Sequence, residues 1–590
     1  MLSFGPFRSA SLSMSAAVIL LVLGACAGNE PPPAGIFFNQ VGSHPDGPRI
    51  AVVRGVPADS LKVVSVATGE TVLAVPLSPL REQPWMGPAT RLADWSVVRN
   101  PGRYRLEAGE LDVVAEIRPD SYRDVAVMAA RSYFFLRCSM ALPAEYAGPW
   151  ARPAGHPDTA VAIHPSAAEP HRPAGTRVAA PGGWYDAGDY NKYPVNAAVT
   201  TATLMSVLEE WPESVPPLGL DIPESGNALP DVFDEVLWNL RWMLAMQDPH
   251  DGGVYHKLTT AQFEPFVMPH EAQSPRWLVA KSTAATLDAA AVFAQAARLA
   301  ERYPAVLPGL ADSCRTAALA AWTWARRHPG RTYRQSVLNA EFDPDVQTGA
   351  YGDRHLDDEW YWAAVELAVT TARDSFLTVV ADQADEPFSP ASWAGGRAMG
   401  DYTLLRYRDR LDERAADLAG ARKAALLAWG SERLAAAGTN PYRSVMGESE
   451  RDFGWGSNGE AANRGMAMLH AWRESGNAAF REAAGDLLDY LLGRNPTGFC
   501  FVTGMGTVSP MFPHHRPSGA DAVAAPVPGL LVGGPNPHRQ DGVAVPAGGA
   551  ALAYVDVEAS YATNETAINW NAPLVYLAAM LEMAFTETAR

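Results

Sequence analysis

Asp231-Val232-Phe233-Asp234-Glu235-Val236-Leu237-Trp238-Asn239-Leu240-Arg241-Trp242-Met243-Leu244-Ala245-Met246-Gln247 sets Phe233, Leu237, Leu240 and Leu244 at steps of four, three and four. That spacing is one face of an α-helix. Working outward, Lys281–Arg302 is alanine-rich, with Ser282 and Thr283 placed as caps. Similar segments recur at 124–139, 195–210, 307–327, 358–372, 413–436, 459–474, 478–492 and 571–586, and weaker ones lie near 374–382 and 400–407. Roughly a dozen helices with no strand series between them argue against a parallel α/β sheet. They imply many helices around one large core, a helical barrel or toroid. The segments are not copies of one another, so a solenoid is not expected.

Before these helices, from Ile36 to about Arg118, the texture is that of strands. Ile50-Ala51-Val52-Val53, Leu61-Lys62-Val63-Val64-Ser65-Val66 and Thr71-Val72-Leu73-Ala74-Val75 are short and rich in β-branched residues. Tyr104–Glu107 alternates, and Leu111–Ile117 resumes after a Gly-Glu turn. Such a run of short strands predicts a small β-sandwich over residues 36–118, followed by a helical domain over 119–590.

The first residues speak of export. Arg8 precedes the apolar run Ala16–Leu23, too short to span a bilayer and followed by small residues. Residues 1–25 are therefore expected to be a signal peptide. Leu23-Gly24-Ala25-Cys26 resembles a bacterial lipobox, which makes Cys26 the expected lipidation site and 26–35, with Pro31-Pro32-Pro33, a stiff linker. The expected location is a bacterial membrane reached through a lipid anchor, with the periplasm or medium as the alternative.

Composition narrows the functions. The 590 residues carry 47 Lys+Arg against 65 Asp+Glu, a net charge of −18. The longest basic tract is Arg326-Arg327, so a nucleic-acid partner is excluded for want of a clustered positive face. Cys138, Cys314 and Cys500 are odd in number and widely spaced, which is no disulfide framework. CxxC, HExxH, G-x-S-x-G and the P-loop are absent from the sequence.

Chemistry is expected in two long Gly/Pro-rich, aromatic stretches, 141–194 and 495–560. In Trp184-Tyr185-Asp186-Ala187-Gly188-Asp189-Tyr190 two carboxylates three residues apart can converge on one water and repel each other, which tunes them for base catalysis. The same spacing suits an Asp-stabilised turn or a calcium loop. Towards the C-terminus come Pro513-His514-His515-Arg516 and the stretch Tyr554–Ala572, in which Glu565 stands among aromatics and amides. Partial burial there would keep its carboxyl protonated, although taken alone the position reads more readily as a helix-start carboxylate.

Taken together, these residues resemble glycoside hydrolase family 9, in the subgroup of bacterial cellulases with an N-terminal immunoglobulin-like domain. The resemblance runs from Asn39-Gln40-Val41-Gly42 through Asp186–Asp189, Ser282–Thr286, Trp455-Gly456-Ser457-Asn458, Leu492–Pro496, Pro513–Arg516 and Gly533-Gly534-Pro535-Asn536 to Tyr554–Ala572. It implies a mainly α protein, an (α/α)6 barrel behind an immunoglobulin-like β-sandwich, and an inverting hydrolase of β-1,4-glucosidic bonds in cellulose or related soluble β-glucans. Asp189 would be the general base, Asp186 would help to hold the water, and Glu565 would be the general acid. Asp556 would support them. His514 and Arg516 would hydrogen-bond the sugar at the cleaved bond, with Trp455, Tyr561, Trp570 and His256 as further sugar contacts.

The chemistry itself needs no cofactor. Asp358 and Glu359, in the segment Tyr351–Glu359, resemble the family's structural calcium ligands. Zinc is doubtful, since Gly155-His156 stands where relatives have Cys-His opposite Cys138. A monomer acting on β-glucan is expected. An exo-acting β-glucosidase or glucosaminidase, and a lipoprotein that only binds glucan, are the alternatives. A binding module has no use for a complete acid and base pair.

Overall fold

The structure is a computed structural model and describes residues 33–211, 216–380, 383–411 and 413–588. The signal peptide and Cys26 lie outside the described residues. No helix among the described residues is long and apolar enough to cross a membrane.

Seven strands open the chain: β1 (Gly35–Phe37), β2 (Ile50–Arg54), β3 (Ser60–Ser65), β4 (Thr71–Pro76), β5 (Thr90–Asp94), β6 (Gly102–Ala108) and β7 (Leu111–Ile117). They form two antiparallel sheets, β1-β2-β5 and β4-β3-β6-β7. Alternation decides which side chains meet between them. In β3, Leu61 and Val63 point inward beside exposed Lys62, and they pack with Trp95, Leu106 and Ile117. The other face of β2 and β5 packs on the helical domain through Ile50, Val52 and Leu92 against Tyr442 and Phe453. Arg54 donates to the Tyr442 hydroxyl and to the Pro496 carbonyl at 3.0 and 2.8 Å. Gln40 reaches further, accepting from the amides of Thr507 and Val508 at 2.9 Å each. The sandwich thus supports the loop that leads into Pro513–Arg516.

Eleven longer helices follow: α1 (Ser121–Leu136), α2 (Pro194–Glu210), α3 (Asp231–Ala245), α4 (Thr283–Ala300), α5 (Leu310–Arg327), α6 (Asp357–Thr371), α7 (Arg397–Tyr407), α8 (Glu413–Ala437), α9 (Ser457–Ser475), α10 (Ala478–Leu491) and α11 (Ile568–Thr588). Helices α2, α4, α6, α7, α9 and α11 make an inner ring. Every residue of α2 from Pro194 to Leu208 is buried, and in α4 only Arg298 reaches the surface. A helix apolar all round is one enclosed on all sides. Neighbouring inner helices pack on one another, and α11 closes on α2. Between α7 and α9 the contact is Tyr402 stacked on His470, 3.7 Å between ring centres. The outer helices bury one face only: α5 turns Cys314, Ala318, Ala321 and Ala325 inward. This is the (α/α)6 arrangement, with the short 3-10 helix Asp374–Val379 in the place of a twelfth long helix.

Two sequence expectations change. Helix α3 buries Phe233, Leu237 and Leu240, but also Glu235, because Arg137, the residue after α1, pairs with its carboxylate at 2.8 Å. The expectation of no strands among the helices is corrected. Val161–Ile163, Arg177–Val178, Leu258–Thr260 and Arg276–Leu278 (β8 to β11) form a small sheet of order β10-β11-β8-β9. Two or three residues apiece, separated by long loops, carry no alternation that a sequence window detects.

Candidate active site

The turn 184–193 enters the site between α1 and α2. Trp184 anchors it, buried against Tyr133 with 4.6 Å between ring centres. Lys192, wholly buried, donates to the Gly182 carbonyl at 2.6 Å and pairs with Asp158 at 2.8 Å. Arg276 pairs with the same carboxylate at 3.0 Å and donates to the Tyr190 carbonyl at 2.9 Å. Arg516 closes the clamp, donating to the carbonyls of Gly188 and Glu264 at 2.7 Å each. Gly188 has to be glycine: a Cβ there would stand 2.2 Å from the His514 carbonyl oxygen.

This clamp holds two buried carboxyls. Asp186 Oδ1 accepts from Asn196 Nδ2 at 2.8 Å, and Oδ2 accepts from the Tyr351 hydroxyl at 2.6 Å. Asp189 accepts from the Asn191 amide. Burial raises the pKa of Asp189, opposed by the Arg516 charge and the Asn191 hydrogen bonds. Asp186 is pushed up to about 8 by burial and then by the Asp189 charge. The Arg516 charge and the Asn191 hydrogen bonds thus favour the charged form at Asp189, while the neighbouring carboxylate disfavours it at Asp186.

Glu565 arrives from the other side. Its backbone pairs with that of His514, and its carbonyl accepts from Gly533 N at 2.8 Å. Helix α11 begins at Ile568 rather than near 571, because Ile568 N donates to the Asp186 carbonyl at 2.9 Å. Glu565 therefore stands before the helix as a loop residue tied to the opposite turn. Burial, then the charges of Asp189 and Asp186, push its carboxyl up to about 8. Carboxyls whose surroundings set their proton affinities apart are the arrangement that acid and base chemistry requires.

Asp186, Asp189 and Glu565 line one cleft of about 510 Å³, together with Tyr193, Phe263, Tyr351, Trp393, Trp455 and Trp570. Trp455 is 50% exposed, as a platform for a ligand ring would be. Tyr561 lies 5.3 Å from Trp455 and 5.9 Å from His514 between ring centres. His514 gives Nδ1 to the Glu558 carbonyl at 2.6 Å, which leaves Nε2 for a ligand.

Three expected residues stand behind the cleft instead. His256 is buried, stacked on Tyr333, with its ring nitrogens engaged by Ser282 and the Ala350 carbonyl at 2.8 Å. Arg516 gives its Nε and Nη1 to the clamp. Asp556 accepts from Met511 N, Phe512 N and Asn564 Nδ2 at 2.7, 3.0 and 3.0 Å, so it shapes the loop before His514. Sequence reasoning gave no role to Asn196, Tyr193, Tyr351, Trp393 or Phe263. Tyr351 carries a signal of a different kind, a left-handed φ of 44° in a non-glycine residue.

Asp358 and Glu359 fall in a buried acidic group with Asp353 and Asp288. Asp358 Oδ2 accepts from Gly396 N at 2.6 Å. Both oxygens of Glu359, Oδ2 of Asp288 and Oδ2 of Asp353 lack a hydrogen-bond partner. Glu169, His171 and Asp248 also gather, but Lys281 Nζ already lies 2.8 Å from Glu169 and Asp248 and 2.9 Å from Asp251. An ammonium there supplies the positive charge. At Cys138, the thiol meets the His156 carbonyl at 3.4 Å and Asp158 Oδ2 at 3.6 Å. With Asp158 ion-paired to Lys192 and Arg276, these neighbours do not make a zinc ligand set.

A twisted sandwich on an (α/α)6 barrel, with buried acid and base carboxyls in an aromatic cleft, defines a glycoside hydrolase. The chain belongs to glycosyl hydrolase family 9, whose model matches residues 122–578, and residues 32–113 match the cellulase N-terminal ig-like domain. It is 41% identical over 548 residues to a xyloglucan-specific endo-β-1,4-glucanase of Bacteroides ovatus, covering 93% of each chain. It is 31% identical over 497 residues to endoglucanase D of Acetivibrio thermocellus, covering 82% of this chain and 74% of that one. Among solved structures, the thermostable endoglucanase of Alicyclobacillus acidocaldarius superposes with a TM-score of 0.83 at 33% identity, covering 93% of this chain and 100% of that chain.

Proposed function

We propose that this enzyme is an inverting endo-β-1,4-glucanase acting on soluble or loosened β-glucans, xyloglucan among them. The observation that carries the reading is the placing of the Glu565 and Asp189 carboxyls on the walls of one aromatic cleft, with burial raising Glu565 and the Arg516 charge opposing that rise at Asp189. Asp189 takes a proton from water while Asp186, fixed by Asn196 and Tyr351, holds that water in line. Glu565 gives its proton to the departing glycosidic oxygen. The electrons of the cleaved bond leave with that oxygen, water bonds the sugar carbon from the opposite face, and the anomeric configuration inverts. Stacking on Trp455 and Trp570 positions the chain.

Chromatography over time on carboxymethyl cellulose, mixed-linkage β-glucan and xyloglucan is expected to show an early spread of oligosaccharides. Glucose or cellobiose released alone from chain ends would replace endo by exo action. Proton NMR of the first products is expected to show the α anomer, and a β anomer first would refute inversion.

The acidic group at Asp288, Asp353, Asp358 and Glu359 suits a hard cation, since its buried oxygens are otherwise unpartnered and burial and mutual charge raise Glu359 and Asp288. Calcium held there would neutralise the group and stiffen the segment carrying Tyr351. Adding 1 mM calcium to chelator-treated protein is expected to raise Tm by roughly 2–8 °C. An unmoved Tm, or a shift that persists in Asp353→Asn, would remove calcium from this site.

A further inference from the structure

Asp556 is in the middle of an arrangement that the acid and base chemistry does not use. Its carboxylate takes the amides of Met511 and Phe512 and the Asn564 side chain, and Asn564 in turn donates to the Phe512 carbonyl at 2.7 Å. The backbone at Phe512 is thus tied on both sides to the residue preceding Glu565. What this rigid loop presents is apolar: Phe512 is 61% exposed and Met511 44%. Large apolar side chains held out into water by polar anchors cost free energy unless something covers them.

The loop is continuous with the cleft. Phe512 lies two residues before His514, whose ring meets Phe266 edge-on at 5.1 Å between centres and Tyr561 at 5.9 Å. Phe263, 49% exposed, lines the cleft itself, and Arg516 lies over both Phe263 and Phe266 at 5.7 and 5.3 Å. Aromatic rings therefore run from the cleft wall to the histidine beside Glu565, and exposed Phe512 follows two residues away in the same loop. A pyranose chain offers flat apolar faces that stack on such rings, and a chain cut internally extends beyond the cleft.

We propose that Phe512, on the loop pinned by Asp556, is a platform for sugar units of the glucan chain outside the cleft, on the His514 side of the cleaved bond. Asp556 is its positioning residue. The proposal rests on the endo-glucanase reading above and adds a binding surface for long substrates. Covering one face of the Phe ring is expected to be worth about tenfold, about 1.4 kcal/mol, and a chain too short to reach the rim gains none of it.

The test is the ratio of kcat/KM on mixed-linkage β-glucan to that on cellotriose, for the wild type, Phe512→Ala, Phe512→Leu and Phe512→Tyr. The ratio is expected to fall roughly tenfold in the alanine and leucine variants and to be kept by tyrosine, which retains the ring. Asp556→Asn is expected to lower the ratio in the same direction by releasing the loop. A ratio within twofold of wild type in Phe512→Ala would overturn the platform, whether or not both rates fall together. A leucine variant as good as wild type would show that bulk, not a sugar-stacking ring, is needed, and would overturn it too. Wild-type protein that cleaves no β-1,4-glucan of any length, and is not retarded in glucan-containing native gels, would sink the glucanase reading itself.

Discussion

Glu565→Gln is expected to lower kcat on β-glucan by about 10³-fold or more, because it removes the proton proposed for the leaving oxygen. The same variant is expected to keep its rate within about tenfold on dinitrophenyl cellobioside, whose leaving group departs without a proton. Equal losses on both substrates would show that Glu565 is not the acid. The wild-type pH profile carries the same information. Glu565 holds its proton up to about 8, against the usual 4.5, so glucan hydrolysis is expected to fall as pH rises through about 8. Stability follows the same sign. The unfolded chain loses this proton near 4.5 and the folded chain near 8, so the folded state binds more protons between those values. The contribution is complete below 4.5 and is lost on passing 8. Glu565→Gln, which has no proton to lose, is therefore expected to hold its Tm better than wild type above pH 8.

Asp189→Ala is expected to cost ~10²–10⁴-fold in kcat on every substrate, the activated aryl glycoside included, since removal of the base weakens the attack of water rather than bond departure. Small anions fit the vacated space. Azide is expected to restore part of the rate and to yield the α-glycosyl azide, the inverted product. A β-azide, or full activity without azide, would take the base role from Asp189. The contrast between the variants is the sharper test, because only an acid variant is spared on the aryl substrate. Asp189 is also held by Arg516, Lys192 and Arg276 through the turn, so changes in these cations are expected to act on the base through its position.

Much of this architecture was legible in the chain. Apolar residues at helical spacing are a local property, and the segments around Phe233, Ala284 and Leu487 fold where their own periodicity says. Alternation in Leu61–Val66 and Leu111–Ile117 likewise announces a sandwich, because each strand has one face to bury. The Asp186–Asp189 turn and the Glu565 stretch were readable from residue type and order, and the roles proposed for them rest on the family resemblance.

Other features depend on contacts that no window of sequence contains. Arg516 and His256 look like free polar side chains, yet the carbonyls of Gly188, Glu264 and Ala350, remote in sequence, engage them. Asp288 joins Asp353, Asp358 and Glu359 across two inner helices, so half of that acidic group is invisible beside Asp358-Glu359. Tyr351 reaches Asp186 across 165 residues of chain. The sequence by itself determined which segments become helices and strands and which residue types carry charge, since those depend on neighbours three or four positions away. Only the tertiary structure decided which carboxyl keeps its proton and which cation is free to meet a sugar, because burial and the nearest charge set both, and both are fixed by the closure of the ring of helices.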